Sequence, residues 1–260
     1  MKNKRLIMKP FRFVLLFFLC FYISGCVGEF KNNEVKNMVQ TYKAIRANKA
    51  VVIDGKLDDE VWQQGFSYQL FLSKDNIDSG QVLQEAGYVK FAWDDEYFYL
   101  AADFKDSDII VKGTEDQMHH YRYGDLCELF MKPVDENYYW ELYVTPFGKK
   151  TSFFFPSKDY LTQPDVFEKY SCGLKVAAEI DGTLNNQQDK DNSWTAEMAM
   201  PIKDLEAFGC KFGPDQKWTV LVGRYNYSGG LDQKELSMTP QLSKTFYHLL
   251  NEYAALEFVK

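Results

Sequence analysis

The chain has 260 residues, with 30 Lys and Arg against 37 Asp and Glu, and a formal charge of −7. An acidic domain repels phosphate backbones, which argues against nucleic acid as a partner. Five cysteines with no chelating spacing make it neither a disulfide scaffold nor a zinc module.

The N-terminus reads as a targeting segment. Lys2, Lys4, Arg5, Lys9 and Arg12 open it without an acidic residue, and an apolar run follows from Phe13 to Ile23. That run is too short for a stable membrane span. Ile23-Ser24-Gly25-Cys26 resembles the lipobox of bacterial lipoproteins, which implies cleavage before Cys26 and lipidation of its sulfur. A secretory signal with an incidental cysteine is the other reading. Residues 1–25 are thus expected to be a signal peptide, 26–45 a polar tether and 46–260 the folded domain. The protein is expected to be lipid-anchored in the bacterial envelope, at the outer membrane, facing the periplasm or the exterior. Cleavage removes five positive charges and no negative ones, taking the formal charge from −7 to −12. Cys127, Cys172 and Cys210 then remain with Cys26, and three cannot all pair. Cys127 alternates within a strand and reads as a small buried hydrophobe.

Val51–Ile53 opens the domain as an expected short strand. Asp54-Gly55 is a turn, and Asp58 is the expected N-cap of a short helix with Asp59 and Glu60 in its first turn. Val61 and Trp62 plug that helix onto the core, a sugar platform being the alternative for Trp62. Tyr68–Leu72 is expected as a strand and Lys74–Gly80 as a polar loop. Val89–Trp93 and Phe98–Phe104 alternate apolar and polar residues around Asp94-Asp95-Glu96, which predicts a hairpin. Asp125–Met131 and Tyr138–Val144 predict a second pair. Phe153–Phe155 reads as a buried strand end, and Ser157–Tyr170 as irregular chain. Cys172–Ile180 and Ser193–Met200 are expected strands around a polar loop. Pro201–Phe208 has Ile202, Leu205 and Phe208 at helical spacing. Trp218–Tyr227 and Ala254–Val259 close the pattern as strands. Strands dominate, so the predicted fold is an all-β, two-sheet antiparallel β-sandwich with one or two short helices.

Asp94, Asp95, Asp103, Asp106 and Asp108 fall close together, yet without EF-hand spacing. No cofactor is expected, with Ca²⁺ as the alternative for these acidic loops. His119 and His120 are adjacent, so on a strand they point to opposite faces and cannot easily share one ion. Glu128 shares a strand face with Leu126 and Phe130, where an unpaired carboxylate costs several kcal/mol. Arg224 shares a face with Val220 and Val222 and is its expected partner. Two readings of the pair stay open: a structural ion pair, or a pair at an open end presenting bidentate hydrogen bonds to a ligand.

Six stretches in order carry a resemblance: IDGKLDDEVW, VKFAWDDEYFYLAADFKDSD, GDLCELFMKP, YYWELYVTPFG, SWTAEMAMPIKDL and YAALEFVK. Together the domain resembles the family 9 carbohydrate-binding modules and the DOMON-like sandwiches grouped with them. The resemblance implies binding of a poly- or oligosaccharide, with Glu128 at the carboxylate that holds sugar hydroxyls. It places Arg122, flanked by Tyr121 and Tyr123, where one clamping tryptophan would stand, and Tyr247 near the other. Neither tryptophan is present. The implied function is a non-catalytic carbohydrate-binding lipoprotein in polysaccharide capture or breakdown, with glycoside hydrolases as companions. The alternatives are a glycoside hydrolase (xylanase-like) or its accessory module, and a haem-binding DOMON domain using Met118, His119 or His248.

Overall fold

The computed structural model describes residues 40–228 and 234–260. The expected signal peptide, Cys26 and the tether up to residue 39 lie outside the described residues.

In chain order the strands are β1 (Thr41–Arg46), β2 (Tyr68–Gln69), β3 (Gly87–Trp93), β4 (Tyr97–Lys105), β5 (Leu126–Pro133) and β6 (Tyr139–Val144). They continue with β7 (Lys150–Phe155), β8 (Lys175–Asp181), β9 (Ser193–Pro201), β10 (Trp218–Asn226), β11 (Glu235–Thr239) and β12 (Ala254–Val259). Four short helices accompany them: α1 (Glu60–Gln64), α2 (Lys74–Asp78), α3 (Pro164–Phe167) and α4 (Ile202–Leu205). The fold is mostly β, as expected, but differs in detail. All twelve strands belong to one sheet running β7-β6-β5-β10-β12-β1-β3-β4-β9-β8, with β11 on β10 and β2 on β3. The antiparallel expectation fails at β1, which pairs parallel with both β12 and β3. The strand begins at Thr41, five residues inside the stretch expected to be tether. Its signal was slight: only Tyr42 and Ala44 are fully buried, with Lys43 between them. β1 joins the N-terminal hairpin to the C-terminal strand and so merges two groups of strands into one path.

Other local differences have equally local causes. Val51–Ile53 forms no strand, because the amide of Val52 goes to Asp59 Oδ2 and its carbonyl to Asp54 N. Lys74–Asp78 is helical rather than looped, with the Ile77 amide bonded to the Ser73 carbonyl. The expected helical spacing after Pro201 appears as α4 followed by a 3₁₀ turn over Glu206–Phe208.

Period-two alternation puts one face of each strand into the main core. Cys127, Leu129 and Met131 of β5, Trp140, Leu142 and Val144 of β6, and Val220 and Val222 of β10 share it with β3, β4 and β9. β6 packs against β8 and β9, so the sheet curls until its two ends face one another. Each large side chain buried there contributes about 1.5–3 kcal/mol. The α1 plug behaves as expected: Trp62 is buried and its Nε1 donates to Glu197 Oε1 at 2.8 Å. Asp94 closes the β3–β4 turn by accepting from the amides of Glu96 and Tyr97, both at 2.7 Å, and from the Tyr99 hydroxyl. Cys127 is free and buried.

The other face of β5, β6, β7 and β10 is also apolar. Leu126, Phe130, Tyr139, Tyr143, Phe153 and Leu221 form a second core beneath the segment that carries Leu242, Tyr247 and Tyr253. That roof is incomplete, and the opening in it is the site described next.

Candidate functional site

Strand parity raises two carboxylates through this second face. Glu128 lies between Leu126 and Phe130 on β5, and Glu141 between Tyr139 and Tyr143 on β6. In the antiparallel register Glu128 stands opposite Tyr143 and Glu141 opposite Phe130, so the two acids are diagonal neighbours. They form the floor of a cavity of about 230 Å³. Phe153 and Phe155 of β7 and Tyr225 of β10 extend that floor. Its walls include His119, Tyr121, Phe167 and Phe246 to His248.

The floor is acidic and nearly fully buried. Glu128 is 2% exposed and Glu141 6%. Burial, and then the charge of Glu141, push the Glu128 carboxyl well above the usual range, against a hydrogen bond with Tyr143 and the distant pull of Lys234. Burial raises Glu141 to about 7, against the hydrogen bond donated by the Tyr143 hydroxyl. Tyr143 thus sits between the two acids. His248 is held neutral: burial, with Lys158 nearby, lowers it to about 4. Its Nδ1 lies 2.9 Å from the Tyr139 hydroxyl, while its Nε2 is 3.8 Å from Glu141, too far for a hydrogen bond. His119 is anchored by Glu168 through Nε2, and its ring stands edge-on to Tyr121. Met118 does not line the cavity; its carbonyl accepts from the Thr151 hydroxyl.

The expected site residues separate. Glu128, Tyr121 and Tyr247 line the cavity. Tyr247 does so as a wall, its hydroxyl buried 2.9 Å from the carbonyls of Arg224 and Ser237. Arg122 and Tyr123 are exposed and lie outside the lining, with the Arg122 guanidinium 5.2 Å from the Tyr121 ring centroid. Arg224 is the correction. Gly223, not Arg224, stands opposite Glu128, so the next side chain of β10 passes through to the other face. There Arg224 is fully buried, 3.2 Å from Asp106, 2.7 Å from the Lys105 carbonyl and 3.0 Å from Asn226 Oδ1. It packs over Phe104. It neither pairs with Glu128 nor reaches the cavity, and its ion pair with Asp106 is structural. Glu141 is the residue that sequence reasoning missed. Its signal was present in Tyr139-Trp-Glu141-Leu-Tyr143, where an acid takes a position of the same parity as two tyrosines.

No family model and no curated protein matches the chain. Solved structures do match. A candidate carbohydrate-binding protein from Bacteroides uniformis ATCC 8492 aligns with a TM-score of 0.60 at 12% identity, over 85% of this chain and 99% of that one. A family 9 carbohydrate-binding module from Caldicellulosiruptor kristjanssonii, in complex with cellotriose, aligns with a TM-score of 0.54 at 13% identity, over 85% of this chain and 94% of that one. The fold is that of a family 9 carbohydrate-binding module. The same kind of module in complex with glucose aligns with a TM-score of 0.52 at 13% identity, over 83% and 95% of the two chains. At these identities the family 9 likeness establishes the fold alone. Chemistry has to be read from the cavity, and on the family 9 fold of this chain that cavity has tyrosine, phenylalanine and carboxyl groups but no tryptophan in its lining.

Proposed function

We propose that the protein is a non-catalytic carbohydrate-binding lipoprotein that captures oligosaccharide at the bacterial envelope. The observation that carries this reading is the pairing of Glu128 and Glu141 on a floor walled by aromatic rings. Carboxyl groups offer directional hydrogen bonds to vicinal hydroxyls, and ring faces cover the apolar C–H face of a pyranose. The likeness to a module whose structure holds cellotriose, and to one holding glucose, supports the same class of ligand. A volume of about 230 Å³ lies below the ~300–1,000 Å³ of typical small-molecule sites, which favours a terminal sugar ring over the middle of a long chain.

Both acids rise from one sheet face and would meet a ligand from the same side. Glycosidases place their two carboxyl groups on either side of the scissile bond. Binding without hydrolysis therefore fits better. Within this reading the curled sheet acts as a two-layer sandwich, supported by β6 facing β8 and β9 across the core. The basic, apolar and small-residue pattern before Cys26 supports anchoring through that cysteine, with the outer membrane as the site and glycoside hydrolases as working companions. The test is a glycan array on the full chain in detergent, followed by calorimetric titration of the best hit. Tyr225→Ala is expected to weaken that hit by about tenfold, the loss of one ring contact of ~0.5–1.5 kcal/mol with its buried area. No binding to any glycan, or release of reducing sugar by the pure protein, would overturn the proposal.

A further inference from the structure

The cavity lacks a countercharge. Among the described residues its lining contains two carboxyl groups, two histidines and no Lys or Arg. His119 is committed to Glu168 and His248 to Tyr139. Arg224, the expected cation, lies on the other face of the sheet. Three further cations stand near cavity rings: Arg122 over Tyr121 at 5.2 Å, Lys234 over Tyr225 at 5.2 Å and Lys158 over Phe246 at 5.3 Å. All three are exposed and none lines the cavity, so water and salt screen them far more than the buried acids of the floor.

We propose that the ligand's ring carries a positive charge: the cavity takes an amino sugar with a free, protonated amine. This rests on the sugar-binding reading and names its substrate class. An ammonium above Glu128 and Glu141 would supply the missing partner to buried acids, and three donors on one nitrogen can serve both carboxylates. Faces of Tyr121, Tyr225 and Phe153 around that position would add cation–π attraction. Burial favours the protonated form of both acids, so an ammonium would stabilise their ionised form, whereas a neutral sugar leaves them without a countercharge.

Calorimetry of the full chain in detergent at neutral pH, with glucosamine, N-acetylglucosamine, glucose and choline as probes, tests the proposal. Glucosamine is expected to bind about tenfold or more tighter than glucose and N-acetylglucosamine, the worth of a charge-assisted bond. Glu128→Gln and Glu141→Gln, each near-isosteric, should shrink that ratio to about twofold or less; a ratio untouched by both substitutions would overturn the assignment. If glucose or N-acetylglucosamine binds as well as glucosamine, the amino-sugar assignment falls and the sugar reading stands. If choline binds as tightly as glucosamine, the ring contributes nothing and both fall. Absence of binding by all four probes likewise overturns the assignment, and the glycan array then decides the sugar reading separately.

Discussion

Tyr247 rests its ring on Gly223, in the space that any larger residue would fill. A Cβ built on Gly223 would come 2.5 Å from Tyr247 Cε2 and 2.8 Å from two more ring carbons. The ring cannot retreat, because its hydroxyl is held between the carbonyls of Arg224 and Ser237. Gly223 also stands opposite Glu128, so the same absence of a side chain brings the Tyr247 wall down beside the acidic floor.

Gly223→Ala is therefore expected to destabilise the domain by about 1–3 kcal/mol through overpacking. Denaturant unfolding measures this directly. The variant should also lose ligand affinity, since the ring it displaces is part of the cavity wall. Wild-type stability in Gly223→Ala would refute the close packing of Tyr247 on the strand.

Glu141 should make stability fall as pH rises across the weakly acidic range, while His120 and His248, both lowered to about 4, act with the opposite sign. Burial raises Glu141 in the folded state from 4.5 to about 7. Between those values the folded state holds a proton that the unfolded chain has released, so the slope of unfolding free energy against pH is negative. The stabilisation is complete below about pH 4.5 and is lost as pH climbs through about 7. The change is on the order of 3 kcal/mol for this one group. Glu128 acts with the same sign. Glu141→Gln should flatten the profile in thermal melts run from pH 5 to 8, and an equally steep profile in the variant would contradict the assignment.

Asp106 and Arg224 form the ion pair that stabilises the opposite face. Both side chains are fully buried and 3.2 Å apart. Asp106→Ala leaves the guanidinium without its nearest charged partner, with Glu85 farther off at 3.8 Å, and is expected to cost up to about 3–5 kcal/mol. Arg224→Met together with Asp106→Leu should recover much of that loss, because removing both charges also removes their desolvation. Additive losses in the double variant would argue against pairing. Ligand affinity should survive wherever these variants fold, since neither residue reaches the cavity.

Cys26→Ser is expected to abolish acyl labelling and release the protein from membranes, or to stall its processing. The reason is the small-residue site Ile23-Ser24-Gly25-Cys26 after an apolar run. Membrane fractionation with fatty-acid labelling checks it. Unchanged partition and labelling in the variant would overturn lipidation at Cys26.

The strands themselves were legible in the chain because a pleat has period two. Val89-Lys90-Phe91-Ala92-Trp93 and Leu126-Cys127-Glu128-Leu129-Phe130 declare their faces without any knowledge of what lies opposite. That Glu128 shares its face with Leu126 and Phe130 was equally readable. Its partner was not. Which residue of β10 faces Glu128 depends on register between segments about a hundred residues apart in sequence, and a shift of one residue turns every side chain over. The register places Gly223 there, sends Arg224 to Asp106 on the far side, and leaves Glu128 with Glu141 from the neighbouring strand. Likewise, nothing local in Thr41–Arg46 announces a strand parallel to both its neighbours, because its hydrogen bonds are offered by β3 and β12 from distant parts of the chain. Alternation along the backbone settled which side chains are buried; only pairing across the sheet decided which of them meet.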